Sequence, residues 1–139
     1  MFRRLLIACL FFLLASPVFA QNIAVFVDIP TQTMSVTVDG VERYSWLVST
    51  GRTGHNTPTG DFRPQRMAAV YYSKKYDNAP MPHAIFFWGG YAIHGTEDIR
   101  RLGGKASHGC VRLHPNNAAL LYSLVSRYGA ENVAIHIQG

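Results

Sequence analysis

The sequence predicts a mainly β fold, a single-domain β-sandwich or partly closed barrel with one α-helix packed against it. Three observations lead to this class. Apolar and polar residues alternate along several short segments, the pair Asp39-Gly40 separates two of these segments, and one segment near the C terminus carries apolar residues at helical spacing. The chain has 139 residues and no internal repeat, low-complexity tract or linker, so we expect one folded domain over residues 21–139.

Residues 1–20 have the composition of a secretory signal peptide. Arg3-Arg4 precede an uninterrupted apolar run of 11 residues, Leu5 to Ala15, and Val18-Phe19-Ala20 supplies the small-x-small pattern of a cleavage site. The run is shorter than the roughly 20 residues that span a bilayer, which leaves a retained anchor as the weaker alternative. We expect the mature chain to cross the inner membrane, to have no membrane span after signal removal, and to act in the periplasm or at the cell wall.

Strands fill most of the mature chain. Alternation and β-branched residues predict strands over residues 23–29, 34–38, 41–49, 62–72, 84–88, 91–94 and 133–137. A further short strand is expected directly after Cys110. Asp39-Gly40 predicts a two-residue hairpin turn, because both residues tolerate a positive φ. Two stretches rich in glycine, proline or polar residues, 51–60 and 73–83, predict loops.

One segment near the C terminus predicts an α-helix. Pro115 suits the first helical turn, and Gly129 suits the position just beyond the helix end. Between them, apolar residues recur at the i, i+3, i+4 and i+7 positions: Leu121, Leu124, Val125 and Tyr128.

The charge balance is mildly basic. The chain carries 13 basic and 8 acidic residues, and the loss of Arg3-Arg4 with the signal peptide would lower the net charge from +5 to +3. No basic cluster exceeds the pairs Lys74-Lys75 and Arg100-Arg101, so nucleic acid is not expected as a partner. A weak attraction to an acidic cell-wall polymer is the better expectation. The composition excludes disorder, collagen, a transmembrane bundle and a disulfide-rich miniprotein.

The cysteine count points to a reactive thiol. Once Cys9 leaves with the signal peptide, Cys110 is the only cysteine in the chain. A secreted protein normally pairs its cysteines, so a single one suggests a reactive thiol or an intermolecular bond. An inert buried cysteine is the alternative.

The residues around Cys110 suggest nucleophilic chemistry. Cys110 lies in Ser107-His108-Gly109-Cys110-Val111-Arg112, and Gly109 would let the backbone approach a substrate closely. The N–H groups of Gly109 and Cys110 could form an oxyanion hole. His94 ends a predicted strand sixteen residues upstream, and a Cys/His pair is the minimum for acyl transfer through a thiolate. His108 is expected to position the loop.

Zinc binding is the main rival hypothesis at these residues. The candidate ligands are His94, His108, Cys110 and His114. The chain has no CxxC or HExxH pairing, so we expect no metal. It has no P-loop either, and we expect no cofactor.

Taken together, these motifs resemble those of a known family. Ser107-His108-Gly109-Cys110-Val111-Arg112, preceded by Ile93-His94-Gly95-Thr96, is similar to the signature of the YkuD-type L,D-transpeptidases. Ser49-Thr50-Gly51 and Thr57-Pro58-Thr59-Gly60 resemble the loop that precedes this signature in the family. The likeness covers nearly all of residues 23–137 and implies a YkuD-like fold.

The resemblance implies a reaction and a role for individual residues. Cys110 would attack the carbonyl of an L-centre residue in a peptidoglycan tetrapeptide stem, and D-alanine would leave. His94 would be the general base and later the acid, with its ring oriented by the carbonyl of Gly95. The resulting thioester would pass to an amine of another stem or of an attached protein. The positions expected to shape the pocket are Ser107, His108 and Arg112.

Several alternatives remain open at this point. Arg112 could clamp a substrate carboxylate or form a structural ion pair. The cleft mouth could be lined by aromatic residues, with core packing expected for at least two of them: Phe86, Phe87, Trp88 and Tyr91. Water as acceptor would make the protein an L,D-carboxypeptidase, and loss of activity would leave a wall-binding module. The expected partners are peptidoglycan stem peptides and, as a further acceptor, a wall-attached protein.

Overall fold

The computed structural model describes residues 22–139, so the predicted signal peptide over residues 1–20 lies outside the described residues. The strands are β1 (Ile23–Asp28), β2 (Thr33–Val38), β3 (Val41–Leu47), β4 (Gly60–Phe62), β5 (Arg66–Ala68), β6 (Ala84–Trp88), β7 (Tyr91–Gly95), β8 (Val111–Leu113) and β9 (Val133–Gln138). Helix α1 spans Pro115–Tyr128, and short 3-10 turns occur at Ile99–Arg101 and Ala130–Asn132. No helix in this described part of the chain is long and apolar enough to cross a membrane.

The strands form two sheets. The five-stranded sheet has the order β3-β2-β1-β9-β4, and the four-stranded sheet has the order β5-β6-β7-β8. Most neighbours are antiparallel, but β1 pairs in parallel with β9 and β7 pairs in parallel with β8. The predicted class, mainly β with one packed helix, is therefore confirmed, and the sheets do not close into a barrel.

One apolar core joins both sheets and the helix. Alternation sends every second side chain of β1 into it, so Ile23, Val25 and Val27 are buried while Phe26 on the opposite face is partly exposed. A second, smaller cluster lies on the other face of the four-stranded sheet. It contains Met81, Ala84, Phe86 and Ala92, with Tyr71 and Cys110 packed against them.

The predicted hairpin and helix are confirmed. Asp39 (φ 49°) and Gly40 (φ 81°) form the two-residue turn between β2 and β3. Helix α1 begins at Pro115 and is followed by Gly129, whose φ of 89° suits glycine. The helix buries Ala118, Leu121 and Val125 in the core.

The single strand predicted over residues 62–72 is wrong. Phe62 ends β4 in one sheet, and β5 begins at Arg66 in the other sheet. Pro64 lies between them and has no N–H to donate to a ladder, so the chain leaves the first sheet here. The strand predicted over residues 41–49 is also too long, because β3 ends at Leu47 and Ser49 forms an isolated pair with Arg112.

Candidate active site

The parallel pairing of β7 with β8 places the chemistry-bearing residues side by side. Ile93 pairs with Val111 and points into the core, so the next position on each strand, His94 and Arg112, faces the opposite side. Cys110 precedes β8 and lies beside Ala92. His94, Cys110 and Arg112 all line one cleft of about 510 Å³.

The Cys110 thiol is held against the β6–β7 turn. Its Sγ accepts a hydrogen bond from the N–H of Ala92 at 3.4 Å and donates to the carbonyl oxygen of Gly90 at 4.0 Å. Burial raises the pKa of Cys110, and the Ala92 N–H and the Arg112 charge oppose this shift only in part. The thiol is therefore protonated at neutral pH.

The His94 ring is buried, and the backbone carbonyl of the next residue sets its orientation. Its Nδ1 lies 2.6 Å from the carbonyl oxygen of Gly95. Because a carbonyl oxygen can only accept, Nδ1 carries the proton and Nε2 of the neutral ring is left with a free lone pair. Burial lowers the pKa of His94 to about 4, the Gly95 carbonyl opposes this shift, and Arg112 adds to it. At neutral pH His94 is thus an uncharged base.

Gly95 is constrained by what packs on it. A Cβ at this position would lie 3.1 Å from Pro82 Cγ and 3.3 Å from Pro115 Cα. The absence of a side chain lets the start of α1 press against the end of β7. The Gly95 N–H donates to Pro82 O at 2.9 Å, so the carbonyl that orients His94 belongs to a fixed peptide segment.

Ser107 organises the turn that carries the thiol, residues 107–110, which we call the thiol-bearing turn. Its side chain is fully buried, and its Oγ donates to the carbonyl of Cys110 at 2.6 Å and accepts from the N–H of Gly109 at 3.0 Å. The Gly109 N–H, predicted as an oxyanion donor, is therefore already engaged by Ser107. It could reach a substrate oxygen only by sharing or releasing this bond, and the oxyanion hole stays a prediction.

The loop that contains Ser49 and Thr50 supports the thiol-bearing turn. Ser49 and Arg112 exchange backbone hydrogen bonds at 3.0 and 2.8 Å, and Thr50 O accepts from Ser107 N–H at 3.0 Å. Gln32, which the sequence analysis missed, is buried and locks Thr50 in place: its Oε1 accepts from Thr50 N–H at 2.9 Å and its Nε2 donates to Thr50 Oγ1 at 2.6 Å. No local sequence pattern marks a glutamine that acts across two loops.

A hairpin-like segment, residues 69–83, borders the cleft, and we call it the strap. Its two arms exchange backbone hydrogen bonds, and Asp77 (φ 50°) and Asn78 (φ 53°) lie at its tip. The strap meets the thiol-bearing turn where the Tyr76 ring stacks on His108, with ring centroids 4.1 Å apart. The pKa of His108 is lowered, first by burial and then by the positive charge of Arg52. His108 thus fastens the strap to the turn.

The cleft is lined by more cations than anions. The cationic side chains are Arg52, Lys74, Lys75, Arg101 and Arg112, and the anionic ones are Glu97 and Asp98. Within residues 22–139 no carboxylate lies within salt-bridge distance of Arg112, whereas Asp98 pairs with Arg101 at 3.2 Å. The structural ion pair considered for Arg112 is therefore not formed by these residues, and its guanidinium is available to a ligand.

Residues 22–135 match the sequence profile of YkuD, the L,D-transpeptidase catalytic domain. The chain belongs to this family. The resemblance drawn from the sequence motifs is thus confirmed, and the matched residues include all those that line the cleft.

Relatives of the YkuD family agree in sequence and in fold. The putative L,D-transpeptidase YqjB of Bacillus subtilis (strain 168) is 29% identical over 114 residues, which cover 73% of this chain and 65% of the relative. The crystal structure of an L,D-transpeptidase from Stackebrandtia nassauensis is 28% identical with a TM-score of 0.75, covering 85% of this chain and 56% of that one. An L,D-transpeptidase from Mycobacterium smegmatis is 25% identical with a TM-score of 0.75, over 85% of this chain and 59% of that one. The chain therefore spans less than two thirds of the length of each.

The remaining predicted residues of this YkuD domain divide between core and surface. Phe86 and Phe87 are buried in the core, Trp88 is exposed outside the cleft, and Tyr91 packs against Gly109. Among the described residues no three His, Cys, Asp or Glu side chains come close enough to hold a metal ion. His114, one of the candidate zinc ligands, instead caps α1 by accepting the N–H of Asn116 at its Nδ1.

Proposed function

We propose that this protein is an L,D-transpeptidase that acts on peptidoglycan stem peptides, with Cys110 as nucleophile and His94 as base. The observation that carries the proposal is the His94 ring, a neutral base whose Nδ1–H is tied to Gly95 O and whose Nε2 is free, in the same cleft as the protein's one described thiol. Membership of the L,D-transpeptidase family supports it.

Acylation follows from a neutral thiol and a neutral imidazole. The Cys110 side chain turns from Gly90 O toward the substrate, and its proton passes to Nε2 of His94 as the sulfur attacks the carbonyl carbon of the L-centre residue. The imidazolium then returns this proton to the nitrogen of the departing D-alanine. The carbon–nitrogen bond breaks, and a thioester on Cys110 remains. One amide bond is exchanged for one thioester, so no nucleotide is consumed.

The second half-reaction decides the product. An amine of another stem, deprotonated by Nε2 of His94, attacks the thioester and restores the thiol while a new amide forms. Water in place of the amine would give an L,D-carboxypeptidase, and an amine of a wall-attached protein would give a protein–wall linkage. We favour the stem amine, in keeping with the family.

Arg112 is proposed to bind the carboxylate of the terminal D-alanine. Arg112 pairs with His94 across the parallel β7–β8 ladder, lines the cleft, and has no carboxylate partner among residues 22–139. A guanidinium can hold a carboxylate through two parallel hydrogen bonds, which fixes the position of the scissile bond as well as attracting the charge.

The deciding experiment uses purified protein, wild type and Cys110→Ala, with a disaccharide-tetrapeptide that ends in D-alanine. Mass spectrometry follows free D-alanine, the acyl-enzyme and any dimer. We expect D-alanine release, an adduct on Cys110 and dimer with the wild type, and none of these with Cys110→Ala. A chelator should change nothing.

Each other outcome points to a different function. Tripeptide and D-alanine without dimer would indicate a carboxypeptidase. Turnover that survives Cys110→Ala would contradict the assigned nucleophile. An unchanged substrate with no adduct would mean either that the enzyme uses a different donor or that the domain binds the wall without cutting it. For all of these, the proposed compartment is the periplasm or the cell wall, as the composition of residues 1–20 predicts.

A further inference from the structure

A second groove, of about 420 Å³, lies beside the catalytic cleft, and all of its charged lining residues are cationic. Four side chains supply this charge: Arg52, Arg100, Arg101 and Lys105. The rest of the lining is Leu102, Gly104 and Ala106, and no acidic side chain of the described chain contributes to it. We call it the basic groove.

The basic groove adjoins the catalytic cleft. Arg52, Arg101 and Ala106 line both. The backbone there is tied to the thiol-bearing turn, since Arg52 N–H donates to Ser107 O at 3.0 Å and Ala106 N–H donates to Thr50 O at 3.0 Å. A ligand in the groove can therefore be part of the same molecule that is acylated at Cys110.

The charges in the groove are largely uncompensated. Asp98 pairs with Arg101 at 3.2 Å, and within residues 22–139 no carboxylate lies within salt-bridge distance of Arg52, Arg100 or Lys105. Like charges that line one concave surface raise the local potential and attract anions. Arginine side chains favour carboxylates in particular, because their planar forks match both oxygens.

We propose that the basic groove binds the carboxylates of the stem peptide, so that the protein selects stems with free carboxylates over stems in which they are amidated. The inference rests on the proposed function and names the substrate class of that same site. Peptidoglycan stems carry glutamyl and diamino acid residues whose carboxyl groups are either free or amidated. Amidation removes the negative charge and leaves the shape of the stem almost unchanged.

The test separates binding from catalysis. Calorimetry with the Cys110→Ala protein measures the affinity for two synthetic tetrapeptide stems, one with free side carboxylates and one amidated, both with a free terminal carboxylate. We expect the free-acid stem to bind about tenfold more tightly at low salt, and the difference to shrink as salt screens the exposed charges.

Two further variants assign the preference to the groove. Arg100→Gln with Lys105→Gln, in the Cys110→Ala background, neutralises two exposed side chains that line the groove and not the cleft. It should abolish most of the preference. Arg43→Gln, an exposed arginine on β3 outside both cavities, is the matched control and should keep it.

Three results would overturn the inference. Equal affinity for both stems would do so, and so would a preference that persists in the Arg100→Gln, Lys105→Gln variant. Tighter binding of inorganic polyphosphate than of the free-acid stem, lost in the same variant, would show that the groove serves a phosphate polymer. Each of these leaves the proposed transpeptidation standing if the wild type still forms dimer, whereas failure to bind either stem counts against the proposed function itself.

Discussion

Cys110 and His94 form a pair of uncharged groups. Burial raises the pKa of the thiol and lowers that of the imidazole, so an ion pair of thiolate and imidazolium is disfavoured before substrate binds. The thiol donates toward Gly90 O, and no hydrogen bond joins it to His94 within the described residues. A protonated thiol is a poor nucleophile, which protects the protein from adventitious oxidation and leaves proton transfer to the substrate complex.

This pairing predicts slow alkylation of Cys110. Because the thiol pKa is raised, the thiolate forms only above the ordinary range for cysteine, and iodoacetamide should react more slowly than with free cysteine at neutral pH. The rate should still be rising at about pH 9. Mass spectrometry of the adduct against time and pH measures it. His94→Gln should leave alkylation at high pH intact while it stops transpeptidation, and a rate that reaches its plateau below neutral pH would instead indicate a resting ion pair.

Gly109 permits the backbone shape of the thiol-bearing turn. Its φ is +119°, and a Cβ there would lie 2.5 Å from Tyr91 Cε1. Gly109→Ala should lower the free energy of unfolding by about 1–3 kcal/mol through backbone strain alone, and should displace the thiol as well. Gly104→Ala is the control, because its Cβ would find only Arg101 O, at 3.7 Å, and its φ lies outside the left-handed region.

Urea unfolding and transpeptidation rates test this comparison. We expect Gly109→Ala to lose both stability and most of the activity, and Gly104→Ala to keep the stability of the wild type. Equal effects of the two substitutions would mean that the geometry at Gly109 does not set the position of Cys110.

The strap contributes eight residues to the lining of the cleft: Tyr71, Ser73, Lys74, Lys75, Tyr76, Ala79, Pro80 and Met81. Its ring stack with the thiol-bearing turn is Tyr76 on His108. Stacked rings stabilise a contact by about 0.5–1.5 kcal/mol, so Tyr76→Ala should raise KM for the stem by about two- to tenfold with little change in thermal stability.

Steady-state kinetics test the role of this stack. Tyr72→Ala is the matched control, because Tyr72 is exposed on the same strap and does not line the cleft. A KM that is unchanged in Tyr76→Ala, or raised equally in Tyr72→Ala, would show that the stack does not hold the strap for substrate.

Most elements could be predicted from local pattern, and the exceptions have physical reasons. Strict alternation in β1 and β2, the Asp39-Gly40 turn and the spacing in α1 each reflect short-range rules. At Pro64 the chain passes from the five-stranded sheet to the four-stranded sheet. This could not be predicted from local pattern, because the same short apolar segments could form one continuous strand or two separate strands. Gln32 acts through contacts with a loop eighteen residues away, which no local pattern encodes.

The sequence indicates which residues form the candidate site more fully than it indicates their arrangement. The sequence motifs select Cys110, His94 and Gly95, and the structure places Cys110 and His94 in one cleft, with the carbonyl of Gly95 against His94 Nδ1. The sequence could not show that Arg112 lies beside His94, because this follows from the parallel register. It also could not show that Ser107 occupies the Gly109 N–H.

The cleft forms only when distant parts of the chain come together. The cleft combines the end of β7, the start of β8, the strap and the loop held by Gln32. His94 is buried because these parts pack together, and unfolding of the chain exposes its ring to water. The protonation state of His94 is therefore coupled to the stability of the entire fold.

This coupling predicts a pH dependence of stability with a definite sign. His94 has a pKa of about 4 in the folded protein against 6.5 for an unperturbed histidine, so between these values the unfolded chain binds a proton that the folded chain does not. Its contribution to stability is complete above about pH 6.5, declines on acidification and is lost below about pH 4. The group should account for about 2 kcal/mol of the stability lost between about pH 7.5 and pH 5.

Urea unfolding followed by tryptophan fluorescence at these two pH values measures the loss. The wild type and Cys110→Ala both keep His94, so both should show this loss. On the same acidification, the free energy of unfolding of His94→Gln should fall by about 2 kcal/mol less than that of the wild type. Subtracting the His94→Gln profile from the wild-type profile removes the contribution of the other titrating groups, since both proteins have them. A His94→Gln profile parallel to that of the wild type would mean that the imidazole is solvated enough to accept a proton in the folded state, and the neutral-base mechanism would then lose its physical basis.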